Sequence, residues 1–185
     1  MKMSLLEKRF VNSPGHTREV ADRASGLLSR VAYRSSWRYL DVGCGVGTAA
    51  RRIAATTGMS VAAVDIDPAQ IAAATSQPPL ENLNYLVMDA ANLEFPDREF
   101  DLVSCRMATH HIPDWSRAIV EMARVLRSGG YLLYTDIVLP PWLPKLRRCP
   151  TSAALDRLAA AVGLVQLYKW HKWLQTDIIW RKAYS

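Results

Sequence analysis

Ten residues, 39–48, constrain the fold of this chain more than any other stretch. They read Tyr-Leu-Asp-Val-Gly-Cys-Gly-Val-Gly-Thr, an apolar run with an acid in it, followed by three glycines at alternate positions. The next residues, Ala-Ala-Arg-Arg-Ile-Ala-Ala, favour a helix. The pattern predicts a strand, a tight glycine turn and a helix. Such a turn places backbone N–H groups and the positive end of a helix at the carboxyl edge of a strand, where a ligand can bind.

The spacing of the glycines favours a ligand other than a dinucleotide. The dinucleotide fingerprint is G-x-G-x-x-G, with the pyrophosphate on the helix N-terminus. Here the third glycine, Gly47, comes one residue early, and Asp41 would repel a diphosphate. A carboxylate at this position suits a cationic group such as an ammonium. A glycine turn without any ligand is disfavoured, because three glycines cost conformational entropy on folding.

The pattern strand–Asp-x-Gly-x-Gly-x-Gly resembles the S-adenosylmethionine (SAM) loop of the class I methyltransferases. The resemblance implies an α/β fold, a three-layer αβα Rossmann-like sandwich. Its mostly parallel seven-stranded sheet would have the order 3-2-1-4-5-7-6, with strand 7 antiparallel. It also implies SAM as cofactor and S-adenosylhomocysteine as product. In the loop itself, it assigns cofactor contacts to Asp41, Gly43, Cys44, Gly45 and Gly47. Cys44 could instead be a reactive thiol, but a small residue that fits the turn is the simpler interpretation.

Acids also end the next two predicted strands. Asp65 lies 22 positions after Gly43, close to the spacing of the acid that binds a ribose hydroxyl pair. We expect Ile66 to flank the adenine, and Asp67 before a proline is a typical helix N-cap. By resemblance to the family, Asp89 at the end of strand 3 accepts from the adenine amino group, and the N–H of Ala90 contacts the ring.

The loop after strand 4, residues 106–114, should lie near the reacting methyl group, because ligands bind beyond the carboxyl ends of the strands. Its adjacent histidines, His110 and His111, resemble those of the quinone-biosynthesis methyltransferases and their small-molecule relatives. Either could act as a general base; alternatively, one could stabilise the loop by hydrogen bonds while the other packs. Arg106, which opens the loop, is a further candidate cofactor contact. We expect no metal site, since no third ligand accompanies the histidines.

The length of 185 residues predicts one domain, with N-terminal helices in 1–36, a SAM-binding core in 37–136 and a C-terminal helix and hairpin in 137–185. Helix D is expected over 115–126, a Ser-Gly-Gly turn should end it, and strand 5 should start at Tyr131. Three cysteines without metal spacing, and no apparent signal peptide or membrane span, predict a reduced, cytoplasmic protein. Nothing in the sequence predicts the oligomeric state.

The net positive charge of the chain comes from its C-terminal quarter. Residues 1–136 carry 15 Lys and Arg against 15 Asp and Glu, whereas residues 137–185 carry eight against two, together with four of the six tryptophans. This part could associate weakly with an anionic membrane surface or RNA, or be a solvated face beside an aromatic core. The loop Trp142–Arg148 is the predicted route to an amphipathic acceptor.

The sequence therefore predicts a SAM-dependent methyltransferase that acts on a small-molecule acceptor at oxygen, carbon or nitrogen. Two alternatives are a SAM-binding protein without transferase activity and a methyltransferase acting on RNA or protein. An NAD(P)-dependent oxidoreductase is less favoured, because the glycine spacing is wrong and no Tyr-x-x-x-Lys pair is present.

Overall fold

Strands and helices alternate along most of the chain and a hairpin ends it. The computed structural model describes residues 12–139 and 149–184. The predicted acceptor loop Trp142–Arg148 and the first part of the predicted N-terminal helices lie outside these residues. The elements are α1 (Pro14–Leu28), β1 (Arg38–Val42), α2 (Thr48–Thr57), β2 (Ser60–Asp65), α3 (Pro68–Thr75), β3 (Leu83–Val87), β4 (Phe100–Arg106), a 3-10 turn (Thr109–His111), α4 (Trp115–Val125), β5 (Leu126–Ile137), α5 (Ser152–Ala161), β6 (Leu164–Lys172) and β7 (Gln175–Lys182).

The strands of the described residues form one sheet in the order β3-β2-β1-β4-β5-β7-β6. The pairs among β1 to β5 are parallel. β7 runs antiparallel to β5, and β6 runs antiparallel to β7. The predicted fold class, strand order and reversed direction of strand 7 are therefore confirmed. The carboxyl ends of the five parallel strands meet at one edge of the sheet.

Side chains alternate between the two faces of the sheet. Tyr39 of β1 and Leu102 of β4 pack in a core with residues of α1 and α2. Their neighbours Leu40 and Val103 pack in a second core with residues of α4 and α5. The same alternation places Asp41, two residues after Tyr39, on the α1–α2 face.

The start of β5 differs from the sequence prediction. Helix α4 ends at Val125, and the strand begins directly at Leu126 rather than at Tyr131. Phe100 of β4 pairs with Leu126 and Leu102 pairs with Tyr131, so β5 advances by five residues while β4 advances by two. The pairing register of β5 is therefore irregular at this point. Gly129 has a φ of 76°, and a Cβ on Gly130 would lie 2.7 Å from a backbone oxygen of β4. The two glycines thus lie in a bulge inside the strand and not in a turn before it.

One arginine fixes the long connection between β3 and β4. Arg124 of α4 donates hydrogen bonds to the carbonyl oxygens of Leu93 and Phe95, at 2.7 and 2.9 Å, and to the carboxylate of Asp97. It also bonds Glu121, a buried residue that accepts from the N–H of Leu93. The connection that carries the predicted adenine contacts is therefore attached to α4 through this arginine.

Replacing Arg124 by Met should destabilise the protein by about 2 kcal/mol, because it removes the cation that bonds the buried Glu121 and the donor to two carbonyl groups. The hydrogen bond from Arg124 lowers the pKa of Glu121. This contribution is present at neutral pH and is lost as the pH falls through the folded-state pKa. Urea unfolding at several pH values should show a smaller loss of stability on acidification in the variant.

Arg117→Met is the matched control, since Arg117 lies 3.5 Å from the same Glu121 but its side chain is 57% exposed. Its effect should stay below about 0.5 kcal/mol. Equal effects of the two substitutions would contradict the assigned role of Arg124.

Candidate active site

A cleft of about 470 Å³ opens at the carboxyl ends of β1, β2, β3 and β4, with α1 and the 3-10 turn in its wall. Most of the predicted site residues line it: Asp41, Gly43, Cys44, Gly45, Asp65, Ile66, Asp89, Ala90, Arg106 and His111. Gly47 and His110 are not among the residues that line the cleft. The structure thus gathers residues from four strand ends into one site.

The glycine turn packs tightly against its neighbours. Gly43 has a φ of 73°, and a Cβ there would lie 2.4 Å from the Cβ of Ala108 in the loop after β4. Gly47 has a φ of 76° and is the N-cap residue of α2, where a Cβ would lie 2.5 Å from the ring of Tyr85. Both positions require glycine for conformation and for space. Burial raises the pKa of the Cys44 thiol well above its usual value, which disfavours the reactive thiolate.

Asp65 is held by the backbone in a fixed orientation. Its Oδ2 accepts from the N–H of Gly45 and its Oδ1 from the N–H of Asp67, both at 2.9 Å. Burial raises the pKa of this carboxyl group, and these two hydrogen bonds oppose the shift. Each oxygen retains a further lone pair, so the carboxylate can accept two more donors from the cleft.

An apolar wall and an acid follow on the same side of the cleft. Ile66 is 57% exposed although it is a large aliphatic residue, whereas Ala90 is buried. Asp89 is exposed, and its Oδ1 accepts from the N–H of Ala91 at 2.9 Å.

Asp41 has a protein partner that the sequence prediction missed. Its register partner in β4 is Ser104, so the alternation places Asp41, Ser104 and Arg106 on the same face. Arg106 donates to both oxygens of Asp41 at 2.8 Å, and Ser104 donates to Oδ1 at 2.9 Å. Asp41 and Arg106 are only 1% and 6% exposed. Burial opposes the charge of Arg106, but Asp41 and Tyr39 raise its pKa, so the pair is ionic.

The two histidines have different positions. His110 donates from Nδ1 to Oδ1 of Asp136 at 2.5 Å, and Asp136 is fully buried. Oδ2 of Asp136 accepts from the N–H of Thr109, at 2.7 Å, and from its hydroxyl group. His111 lines the cleft, and its ring contacts that of His110 at an interplanar angle of 44°, with 4.0 Å between the ring centroids. His110 therefore anchors the turn, and His111 is the histidine at the site.

The described residues hold no group of three or more His, Cys, Asp or Glu that could bind a metal ion. Among the same residues, no helix has the length and the apolar composition needed to cross a membrane. Neither finding concerns the segments outside the described ranges.

Residues 40–134, just over half of the chain, match the family described as "Methyltransferase domain". The chain belongs to this family. The predicted resemblance to the class I SAM-dependent methyltransferases is confirmed.

The relatives of the methyltransferase domain are mostly longer proteins. The 27-O-demethylrifamycin SV methyltransferase of Amycolatopsis mediterranei is 35% identical over 129 residues, which cover 68% of this chain and 46% of that protein. The 2-methyl-6-phytyl-1,4-hydroquinone methyltransferase of Synechocystis is 40% identical over 98 residues, or 52% of this chain and 31% of that protein. This chain spans about half or less of the length of these curated relatives.

The crystal structure of YcgJ from Bacillus subtilis has the same fold. It matches with a TM-score of 0.76 at 20% identity, over 89% of this chain and 100% of that one. At this identity the likeness supports the fold alone.

Gln70 is a site residue that sequence reasoning missed. It is 3% exposed, lines the cleft, and its Nε2 has no hydrogen-bond partner among the described residues. Its Oε1 accepts from Asn12 at 3.1 Å. An unpaired buried amide is costly, so a ligand atom in the cleft would satisfy it. The available signal was its position in the first turn of α3, because helix side chains lean toward the N-terminus.

Replacing Arg106 by Met should destabilise the methyltransferase domain by about 3–5 kcal/mol, because it leaves a buried carboxylate without its cation. The double variant Asp41→Leu/Arg106→Met removes both charges and should recover most of this loss. Urea unfolding of the single and double variants measures the difference. A double variant that is less stable than Arg106→Met alone would contradict the argument.

Proposed function

We propose that this methyltransferase domain binds SAM in the cleft and transfers its methyl group to a small-molecule acceptor, leaving S-adenosylhomocysteine. The observation that carries the proposal is the orientation of Asp65. Two backbone N–H groups hold its carboxylate at the end of β2 with free lone pairs toward the cleft. A ribose has two neighbouring hydroxyl groups that match these acceptors, and the unpaired amide of Gln70 supplies a donor beside them.

We assign the remaining contacts with the cofactor from the chemical character of the side chains that line the cleft. Ile66 and Ala90 would cover the faces of the adenine, and Asp89 would accept from its amino group. The glycine turn of Gly43, Gly45 and Gly47 would let the amino-acid part of the cofactor approach the backbone.

The role of Asp41 needs a refinement. Its predicted contact with the cofactor ammonium, direct or through water, has to be shared with Arg106. Oδ2 accepts one hydrogen bond fewer than Oδ1 within the protein, so Oδ2 is the atom we assign to the ammonium. The Nε of Arg106 is buried without a partner and suits the carboxylate of the cofactor.

SAM supplies an electrophilic methyl group on a sulfonium sulfur, and displacement by a nucleophile needs mainly proximity and alignment. The protein therefore needs no nucleophile of its own. Its residues hold the cofactor, exclude water and receive the proton that the acceptor loses. We assign that proton to His111, because its ring lines the cleft while His110 is bound to Asp136.

The names of the relatives suggest the acceptor class. One is named for a 27-O-demethylrifamycin and one for a hydroquinone with a phytyl chain, and the second name describes two ring hydroxyl groups beside a long apolar chain. We infer an acceptor of this amphipathic kind.

Asp65→Ala should weaken SAM binding at least about tenfold, because two hydrogen bonds to a charged acceptor are lost. Calorimetric titration with SAM measures this. Asp67→Ala is the control: Asp67 also lines the cleft, but it caps α3 through the N–H of Ala69. It should cost about 1 kcal/mol of stability with little change in affinity. Equal affinity of the Asp65→Ala and unmodified proteins would refute the ribose assignment.

His111→Gln should lower methyl transfer about 10²-fold without changing SAM affinity, since a general base contributes on this scale. Transfer from methyl-labelled SAM to components of a mixed metabolite extract provides the assay. His110→Gln should instead lower the melting temperature, because Asp136 loses a donor. Full transfer by His111→Gln would remove that residue from the mechanism.

The same extract experiment tests the function as a whole. Labelled products in the small-molecule fraction support the proposal, whereas label in RNA or protein, or none at all, favours the alternatives. Thermal stabilisation by NAD but not by SAM would favour an oxidoreductase.

A further inference from the structure

The turn between β6 and β7 exposes an unusual set of side chains. Its five residues, 170–174, read Trp-His-Lys-Trp-Leu and are called the hairpin tip below. Trp173 is 87% exposed, Leu174 42% and Trp170 40%. Large apolar side chains concentrated at one projecting point are typical of a surface that contacts an apolar layer.

The backbone of the hairpin tip is not optimised for stability. Lys172 and Gln175 pair with each other, so the loop between them has only two residues. The first of these, Trp173, has a φ of 56°. Glycine or asparagine is favoured in this conformation, and a bulky aromatic residue is strained there. Because the indole is almost fully exposed, packing within the fold does not compensate for this strain. The indole is therefore available for a contact outside the fold.

The hairpin tip lies at the edge of the sheet where the cleft opens. The carbonyl oxygen of Leu174 accepts from the N–H of Val138, directly after β5, at 2.7 Å. The next residue, Gln175, contacts the sulfur of Met107 at 3.9 Å, and Met107 lines the cleft. A surface bound by the tip would therefore lie beside the cleft.

The charge of the hairpin tip favours an anionic partner. Lys172 is exposed, and the tip contains no acid. Exposed aliphatic side chains continue along the edge strand, with Val165 54% and Leu167 55% exposed. Tryptophan with lysine and aliphatic residues matches the headgroup region of a bilayer, where indole rings and cations are stabilised. Aliphatic side chains gain little from an RNA backbone, so the combination favours lipid over nucleic acid.

We propose that the hairpin tip binds an anionic lipid bilayer by inserting Trp173 and Leu174 into the headgroup region, with Lys172 at the lipid phosphates. The contact requires neither SAM nor methyl transfer, so it goes beyond the proposed function. It would hold the cleft next to the bilayer, from which an amphipathic acceptor could enter, and only this consequence rests on the proposed function.

Co-sedimentation of the full chain with phosphatidylcholine vesicles, with and without phosphatidylserine, tests the proposal. The protein should sediment with the anionic vesicles and less so at high salt. Trp173→Gly should reduce the vesicle partition coefficient about tenfold, the contribution of one large buried apolar side chain. Lys172→Gln should reduce it about fivefold.

The Trp173→Gly variant distinguishes a loss of lipid contact from a loss of folding stability. Glycine adopts the positive φ without strain, so its melting temperature should stay equal or rise while vesicle binding falls. Tyr184→Ala is the matched control, since Tyr184 is 74% exposed and follows the end of β7 at the opposite edge of the sheet. This variant should keep vesicle binding.

Two results would overturn the proposal: absence of binding to anionic vesicles, or unchanged binding by Trp173→Gly. Binding to a single-stranded RNA oligonucleotide but not to vesicles would assign the tip to nucleic acid instead. SAM titration of Trp173→Gly should match that of the unmodified chain, so a failure of SAM binding tests the proposed function separately.

Discussion

The buried ion pair of Asp41 and Arg106 connects the two halves of the site. It joins the carboxyl ends of β1 and β4, and the glycine turn and the histidine loop begin directly after these ends. Two charges removed from water are tolerated only in a geometry that satisfies both, so the pair allows little relative movement of the two strands. The contact of Gly43 with Ala108 then brings the turn and the loop together. The cleft is the space left above this junction.

Much of the fold was predictable because its signals are local. The acid and glycines of residues 39–48 identify the first strand, turn and helix, and acids at later strand ends mark the same edge of the sheet. Parallel strands separated by helices bring those ends together whatever fills the core. The strand order itself came from the resemblance to the class I methyltransferases, since periodicity does not specify which strands are neighbours. Asp65 and Asp89 reach one cleft for this reason.

The features that were missed depend on contacts between distant residues. The sequence around Asp41 does not reveal whether the partner of this acid is a ligand or an arginine 65 residues away. Two adjacent histidines are equivalent until the 3-10 turn directs one to Asp136 and the other to the cleft. In the sequence Gln70 is simply a polar residue in a short helix, whereas the structure shows that the Nε2 of its amide is buried without a partner among the described residues. In each case the sequence supplies the group, and the tertiary structure decides its partner.

The two sides of the cleft also differ in how strongly they are constrained. On the side that we propose for the cofactor, protein donors hold the carboxylates: two backbone N–H groups hold Asp65, and Arg106 holds the buried Asp41. In the proposed function the acceptor side has to place a nucleophile in line with a reactive methyl group and to receive its proton at His111, so shape and access can determine which acceptor reacts. The family can therefore be identified from residues 40–134, whereas the acceptor must be sought in what surrounds the opening. The exposed hairpin tip lies at that edge of the sheet, and its proposed lipid contact would be one such influence on access.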